Sequence, residues 1–275
     1  MTAREDVVAV EIPGTRDDAL EYLQDRAFSS VPAVKTTDSG EVYRGIVSRG
    51  ALIDRPDEDQ LALLADEVEP TTSGTDLRSV AKRMLVAGER RVPVVEDNRL
   101  KGIVTVTDVV RAIARERNTE LTVADVASEA VNCVYSGAPL TVAERELAHA
   151  GVPYAVVLDD DGPTGILTEV DILGVARVVE GETETGESIA NQDDDWAWEG
   201  IKAVGNSYMP TRNVEIPDEP VSAFMTGDLV TVSGSLSVAE AARLIIEHGI
   251  EQIPVMKGNS LAGIVQDVHL LEAVR

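Results

Sequence analysis

Two Thr-x-x-Asp pairs, Thr105 with Asp108 and Thr168 with Asp171, are the residues of this 275-residue sequence best suited to chemistry. A carboxylate can accept hydrogen bonds from two adjacent hydroxyls, and the positive end of a helix favours a nearby anion. Thr and Asp are also preferred helix N-caps, so the residues alone leave capping and ligand contact as equal alternatives. Cations that could meet a phosphate are few. Arg90 and Arg91 stand directly before Val92-Pro93, and Arg44 and Lys101 directly precede Gly-Ile dipeptides at positions 45 and 102. For any one of them the ordinary reading is a surface pair with a carboxylate. No catalytic or metal site is expected: His149, His248 and His269 lack metal-ligand spacing, and there is no Walker loop or nucleophile elbow.

The elements that must position these residues repeat. Arg91-Val-Pro-Val-Val followed by Gly102-Ile-Val-Thr-Val-Thr-Asp resurfaces as Gly151-Val-Pro-Tyr-Ala-Val-Val with Gly165-Ile-Leu-Thr-Glu-Val-Asp. Further copies are Gln252-Ile-Pro-Val-Met with Gly263-Ile-Val and, more faintly, Ser30-Val-Pro-Ala-Val with Gly45-Ile-Val. Anchored on Pro32, Pro93, Pro153 and Pro254, the copies lie 61, 60 and 101 residues apart. Ser237–His248 places Val238, Ala241, Ala242 and Ile245 on one helical face, and Gly249 stops it. Two short strands follow, then a second helix such as that beginning near Asp108. A helical turn and a lead-in strand precede each unit, as at Val123–Val126 and Val221–Met225. The expected unit is strand, helix, strand, strand, helix. Such a unit leaves its sheet incompletely covered, so four units should pair into two modules, an α+β fold. The expected boundaries are 1–60, 61–120, 121–180 and 221–275, with an insertion over 181–220.

That insertion opens with Glu180-Gly-Glu-Thr-Glu-Thr-Gly-Glu and runs through Asp193–Asp195, which reads as a solvated loop. Trp196 and Trp198, the only tryptophans, follow; a docking segment and a local core plug are both open to them.

Composition bounds the partners. Forty-nine Asp and Glu against 24 Lys and Arg give a net charge of −25, a surface that repels nucleic acid and anionic membranes. Only five of the cations are lysines; few lysines among many carboxylates is the composition expected in a salt-filled cytoplasm, where screening suppresses self-repulsion. The lone Cys133, and the lack of a three-part signal peptide or a long apolar run, point to the cytoplasm.

Helix, hydrophobic-Pro-Val, then Gly-Ile-x-Thr-x-x-Asp resembles the CBS domain, over nearly the whole chain except the insertion. Four tandem copies resemble archaeal stand-alone multi-CBS proteins, here of haloarchaeal type, and more distantly the gamma subunit of AMP-activated protein kinase. The resemblance implies Bateman modules, pairs of units with clefts for adenosine ligands. It implies that Asp108 and Asp171 hold a ribose diol, and that Thr105 and Thr168 contact phosphate. Arg90 and Arg91 fall where the kinase subunit carries His-Arg, and Arg44 and Lys101 would reach the same cleft. Ser48 with Ala51, and Gln266 with His269, depart from the pattern, so those two sites are expected to hold no nucleotide in the same pose. Ala150-Gly151 and Glu251-Gln252 bring no positive charge, so the second module is expected to prefer AMP or adenosine. The function implied is a non-enzymatic sensor with no required cofactor, binding AMP, ADP or ATP and read by a regulated partner protein. A ligand-free scaffold and an S-adenosylmethionine binder are the alternatives. A homodimer is expected if four units do not close a disc within one chain.

Overall fold

The computed structural model describes residues 1–25, 30–38, 40–48, 51–52, 55, 58–116, 120–175, 177–182 and 210–274. One pairing scheme appears four times. The hairpins are β3 (Ser30–Thr37) with β4 (Gly40–Ser48), β6 (Arg91–Glu96) with β7 (Arg99–Thr105), β9 (Tyr154–Asp159) with β10 (Gly162–Thr168), and β14 (Gln252–Lys257) with β15 (Ser260–Gln266). Parallel to the first strand of each runs a short lead-in: β2 (Val10–Glu11), Thr71, β8 (Cys133–Tyr135) and β13 (Val232–Ser233).

The strand register corrects the proline anchoring. Pro32, Pro93 and Pro254 lie opposite Ile46, Ile103 and Ile264, but Val156, not Pro153, lies opposite Ile166. Pro153 precedes β9 and is three residues out of register with the other prolines. The true counterparts of Arg91 are therefore Ser30, Tyr154 and Gln252, each paired with the last residue of its hairpin. Glycine of the Gly-Ile dipeptide is the better anchor, for a steric reason. A Cβ at Gly45, Gly165 or Gly263 would stand 2.7, 2.8 or 2.7 Å from the backbone oxygen of Asp66, Thr226 or Ser128, and one at Gly102 would collide with that of Thr2.

These close approaches also show how units pair. The segment leading into repeat 2 lies on repeat 1 through β5 (Ala65–Asp66), and β1 (Thr2–Ala3) lies on repeat 2. Thr226 and Ser128 make the same exchange between repeats 3 and 4. Val7, Val34, Leu100 and Ile103 fill the first sheet interface, and Tyr154, Val156 and Ile264 the second. The fold is α+β, built of paired units.

Helices lie on the outer faces of the sheets. α1 (Arg16–Asp25) precedes repeat 1's hairpin, and the short α2 (Leu61–Leu64) leads toward repeat 2. α3 (Leu77–Ala87) and α4 (Val106–Arg115) flank the hairpin of repeat 2, and α5 (Val123–Val126) leads into repeat 3. α6 (Leu140–Ala150) and α7 (Glu169–Val175) belong to repeat 3, and α8 (Val238–His248) and α9 (Asp267–Leu270) to repeat 4. Their cores are not alike. Val80, Met84, Val109 and Ile113 of repeat 2 form one continuous core with Val238, Ala242, Ile245 and Leu271 of repeat 4, whereas repeats 1 and 3 keep separate cores. Alanines at 241 and 242 let α8 approach α4 closely.

The insertion departs from the expected loop at its base. Arg177–Glu182 (β11) and Pro210–Glu215 (β12) pair antiparallel, so the acidic opening at Glu180 is strand. Asp193–Asp195, Trp196 and Trp198 lie outside the described residues. No helix is long and apolar enough to cross a membrane.

Candidate functional site

In repeats 2, 3 and 4 the hairpin ends where a helix begins, with Thr105, Thr168 and Gln266 at the junction. Asp108 Oδ2 accepts from the Thr105 N–H and hydroxyl at 3.0 and 3.1 Å, and the Thr105 oxygen accepts from the Asp108 N–H at 3.2 Å. Thr168 and Asp171 repeat this with 2.8, 2.7 and 3.4 Å. Capping is thus present at both predicted pairs, through one carboxylate oxygen each. The other oxygen of Asp108 faces the Met1 amino group at 3.5 Å and Arg111 at 3.8 Å. In repeat 1 the Ser48 hydroxyl accepts from the Ala51 N–H. In repeat 4, His269 Nδ1 accepts from the Gln266 N–H at 3.2 Å, so the imidazole does a carboxylate's task. Burial holds His269 below its ordinary 6.5, which keeps Nδ1 free to accept.

Between repeats 1 and 2 lies a cleft of about 120 Å³. Val31, Pro32 and Ile103 supply its apolar wall, and Arg91, Thr105 and the Asp6 carboxylate are among its polar groups. Arg91 donates to the Ser30 carbonyl and hydroxyl at 2.7 and 2.8 Å. A cation, a helix start and an apolar slot thus meet in one place. The volume is below the roughly 300–1,000 Å³ of small-molecule pockets, so this form admits a ring-sized group rather than a whole nucleotide.

The other basic candidates lie elsewhere. Arg90 crosses to the second module, where its guanidinium donates to both oxygens of Asp267 at 3.1 and 2.7 Å and lies 3.1 Å from Glu251. Burial works against the Arg90 charge, but Asp267 and Glu251 outweigh it and keep the group protonated. Burial pushes the Asp267 carboxyl above its ordinary 3.8, and Arg90 pulls it back only in part. Arg44 and Lys101 are exposed and do not line the cleft. In the second module the place of Arg91 belongs to Tyr154, a buried phenol raised by desolvation and by Cys133. Ser30, Tyr154 and Asp267 escaped the sequence reading; hairpin register would have found the first two, and nothing local marks the third. Among the described residues no group of three or more His, Cys, Asp or Glu could hold a metal.

A family model for the CBS domain matches residues 64–115, 123–177 and 221–275. MJ1404 of Methanocaldococcus jannaschii is 26% identical over 272 residues, 98% of this chain and 60% of that protein. MJ1225 of the same organism is 30% identical over 117 residues, 41% of each. The aligned stretches therefore span 60% or less of these two relatives' lengths. Among solved structures, MJ1225, described as a candidate archaeal homologue of g-AMPK, superposes with TM-score 0.72 at 17% identity, covering 98% of this chain and 97% of that one. A conserved protein from Pyrococcus horikoshii gives 0.65 at 24% identity, covering 98% and 96%. At these identities the likeness is one of fold. With three matched segments spanning more than half of its length, the chain belongs to the CBS domain family.

Proposed function

We propose that this chain is a non-enzymatic regulatory protein of the cytoplasm that binds an adenine nucleotide, AMP, ADP or ATP, in the cleft between repeats 1 and 2. The observation that carries this reading is the convergence on one cleft with an apolar wall of Arg91 and of Thr105, which is hydrogen-bonded to Asp108. Asp108 Oδ1, once released by the Met1 amino group and Arg111, would take the ribose hydroxyls, Thr105 and Arg91 the phosphate, and Val31 and Ile103 the base. Entry requires Arg91 to release Ser30 and the cleft to widen, and that movement is what a regulated partner would read. The N-terminal unit, which shares the pairing scheme of the matched segments, is proposed as a fourth, divergent repeat.

Tyr154 at the place of Arg91 favours a second reading for the Thr168–Asp171 position: an adenosyl ligand with little or no phosphate charge, such as AMP, adenosine or S-adenosylmethionine. Native mass spectrometry of protein purified without added ligand tests both. A retained adenosyl mass is expected, whereas clean apo protein that also fails titration contradicts the proposal. The acidic, lysine-poor composition further supports reading the chain as haloarchaeal. An unfolding midpoint that rises into molar KCl is expected, and one indifferent to salt counts against it.

A further inference from the structure

Three of the four unit-opening helices begin beneath a strap, an extended residue leading into the first residue of a short helical turn, built the same way each time. On α1, the Arg16 N–H donates to the Asp59 carbonyl at 2.8 Å and the Leu61 N–H to the Gly14 carbonyl at 3.1 Å, around a Thr15–Gln60 bridge. On α6, Leu140 donates to Glu219 and Val221 to Ala138, both at 2.9 Å, around Pro139–Pro220. On α8, Val238 donates to Leu121 at 3.0 Å and Val123 to Leu236 at 2.8 Å, around Thr122–Ser237. The anchor residue, Leu61, Val221 or Val123, is fully buried in every case.

α3 has an equivalent start, with Asp76 as N-cap, but no described residue makes the corresponding bonds to the Leu77 N–H and the Thr75 carbonyl. A cavity of about 420 Å³ lies there instead, lined by apolar Leu77, Ile113 and Leu121 and by charged Arg78, Glu116 and Glu120. Leu77 is 37% exposed, whereas its counterparts Leu140 and Val238 are fully buried. We propose that this groove docks an extended segment of a partner polypeptide, anchored by a Leu or Val and flanked by basic side chains. The three straps fix the mode: a partner carbonyl takes the Leu77 N–H, an unsatisfied donor of the first helical turn, and the anchor N–H bonds the Thr75 carbonyl. Two carboxylates against one arginine set the preference for basic flanks. This surface is independent of what the clefts bind.

The probe is a fluorescein-labelled peptide, Lys-Leu-Thr-Val-Ala-Lys, copying the α8 strap between lysines, titrated by anisotropy against the full chain. Saturable binding is expected, weakened about tenfold or more by Leu77→Asp and by replacing the peptide valine with Asp. Asp is favoured in a first helical turn, so Leu77→Asp should retain the fold; circular dichroism checks this. Binding that does not saturate, or that Leu77→Asp leaves unchanged, overturns the proposal. So does sedimentation showing that Leu77→Asp converts a dimer of the chain to monomer, since the occupant would then be a second copy.

Discussion

The helix starts at Thr105 and Thr168 share the same cap and differ in what faces them across the hairpin. Arg91 stands opposite Thr105 and Tyr154 opposite Thr168. The cap contributes about 0.5–2 kcal/mol to its helix wherever it occurs, and even His269 can supply the acceptor. A Thr-x-x-Asp pair therefore marks a place in the fold before it marks a ligand. The residue across the hairpin decides whether the cleft carries a cation, and only the first module has one there.

Arg90 and Arg91 are neighbours that serve different modules, and separating them sharpens the comparison most. Arg90→Met strands the buried Asp267, whose side chain is 4% exposed. The cost expected in urea unfolding is roughly 2 kcal/mol, reduced from the ~3–5 of a fully buried pair because a third of Arg90 is in solvent. Asp267→Asn should cost less, since Arg90 keeps Glu251. Because burial raises the Asp267 carboxyl, its stabilising contribution is full in acid and declines as pH climbs from 3.8 through the higher folded value. The variant should thus gain on the wild type as pH rises over that window; a gap that widens the other way contradicts the assignment.

Asp108→Asn and Asp171→Asn come next. Asn keeps an acceptor for the cap, so each should lose under about 1 kcal/mol of stability. In calorimetric titrations Asp108→Asn should weaken ADP binding and Asp171→Asn adenosine binding; equal effects on both ligands would erase the distinction between the modules. The smallest effect concerns His269. Its folded value is depressed, so its cap is intact above 6.5 and fails as pH falls below that. Thermal midpoints should drop slightly over that range, and His269→Asp should remove the drop.

Much of this organisation was legible because it is local. Helix periodicity, the stop at Gly249 and the Gly-Ile dipeptides each reflect short-range geometry. Gly102 and its counterparts are glycine because a paired unit's backbone passes over them, so one residue type reported a long-range contact. Pro153 misled because a proline beside valine imitates the motif; the glycine three residues ahead of β6, β9 and β14 would have set the register. Arg90 resembled a phosphate ligand until a carboxylate 177 residues away was brought to it, and no local pattern announces such a pair. The base of the insertion was read by charge, whereas Arg177–Glu182 is strand.

The central claim is that Arg91 gives the first cleft its phosphate charge. Calorimetric titration of wild type and Arg91→Ala with ADP and with adenosine tests it most directly. A charged hydrogen bond of about 1.5–3 kcal/mol predicts that the variant loses roughly 10- to 150-fold in ADP affinity while adenosine binding holds. Unchanged ADP affinity, or equal losses for both ligands, would contradict it.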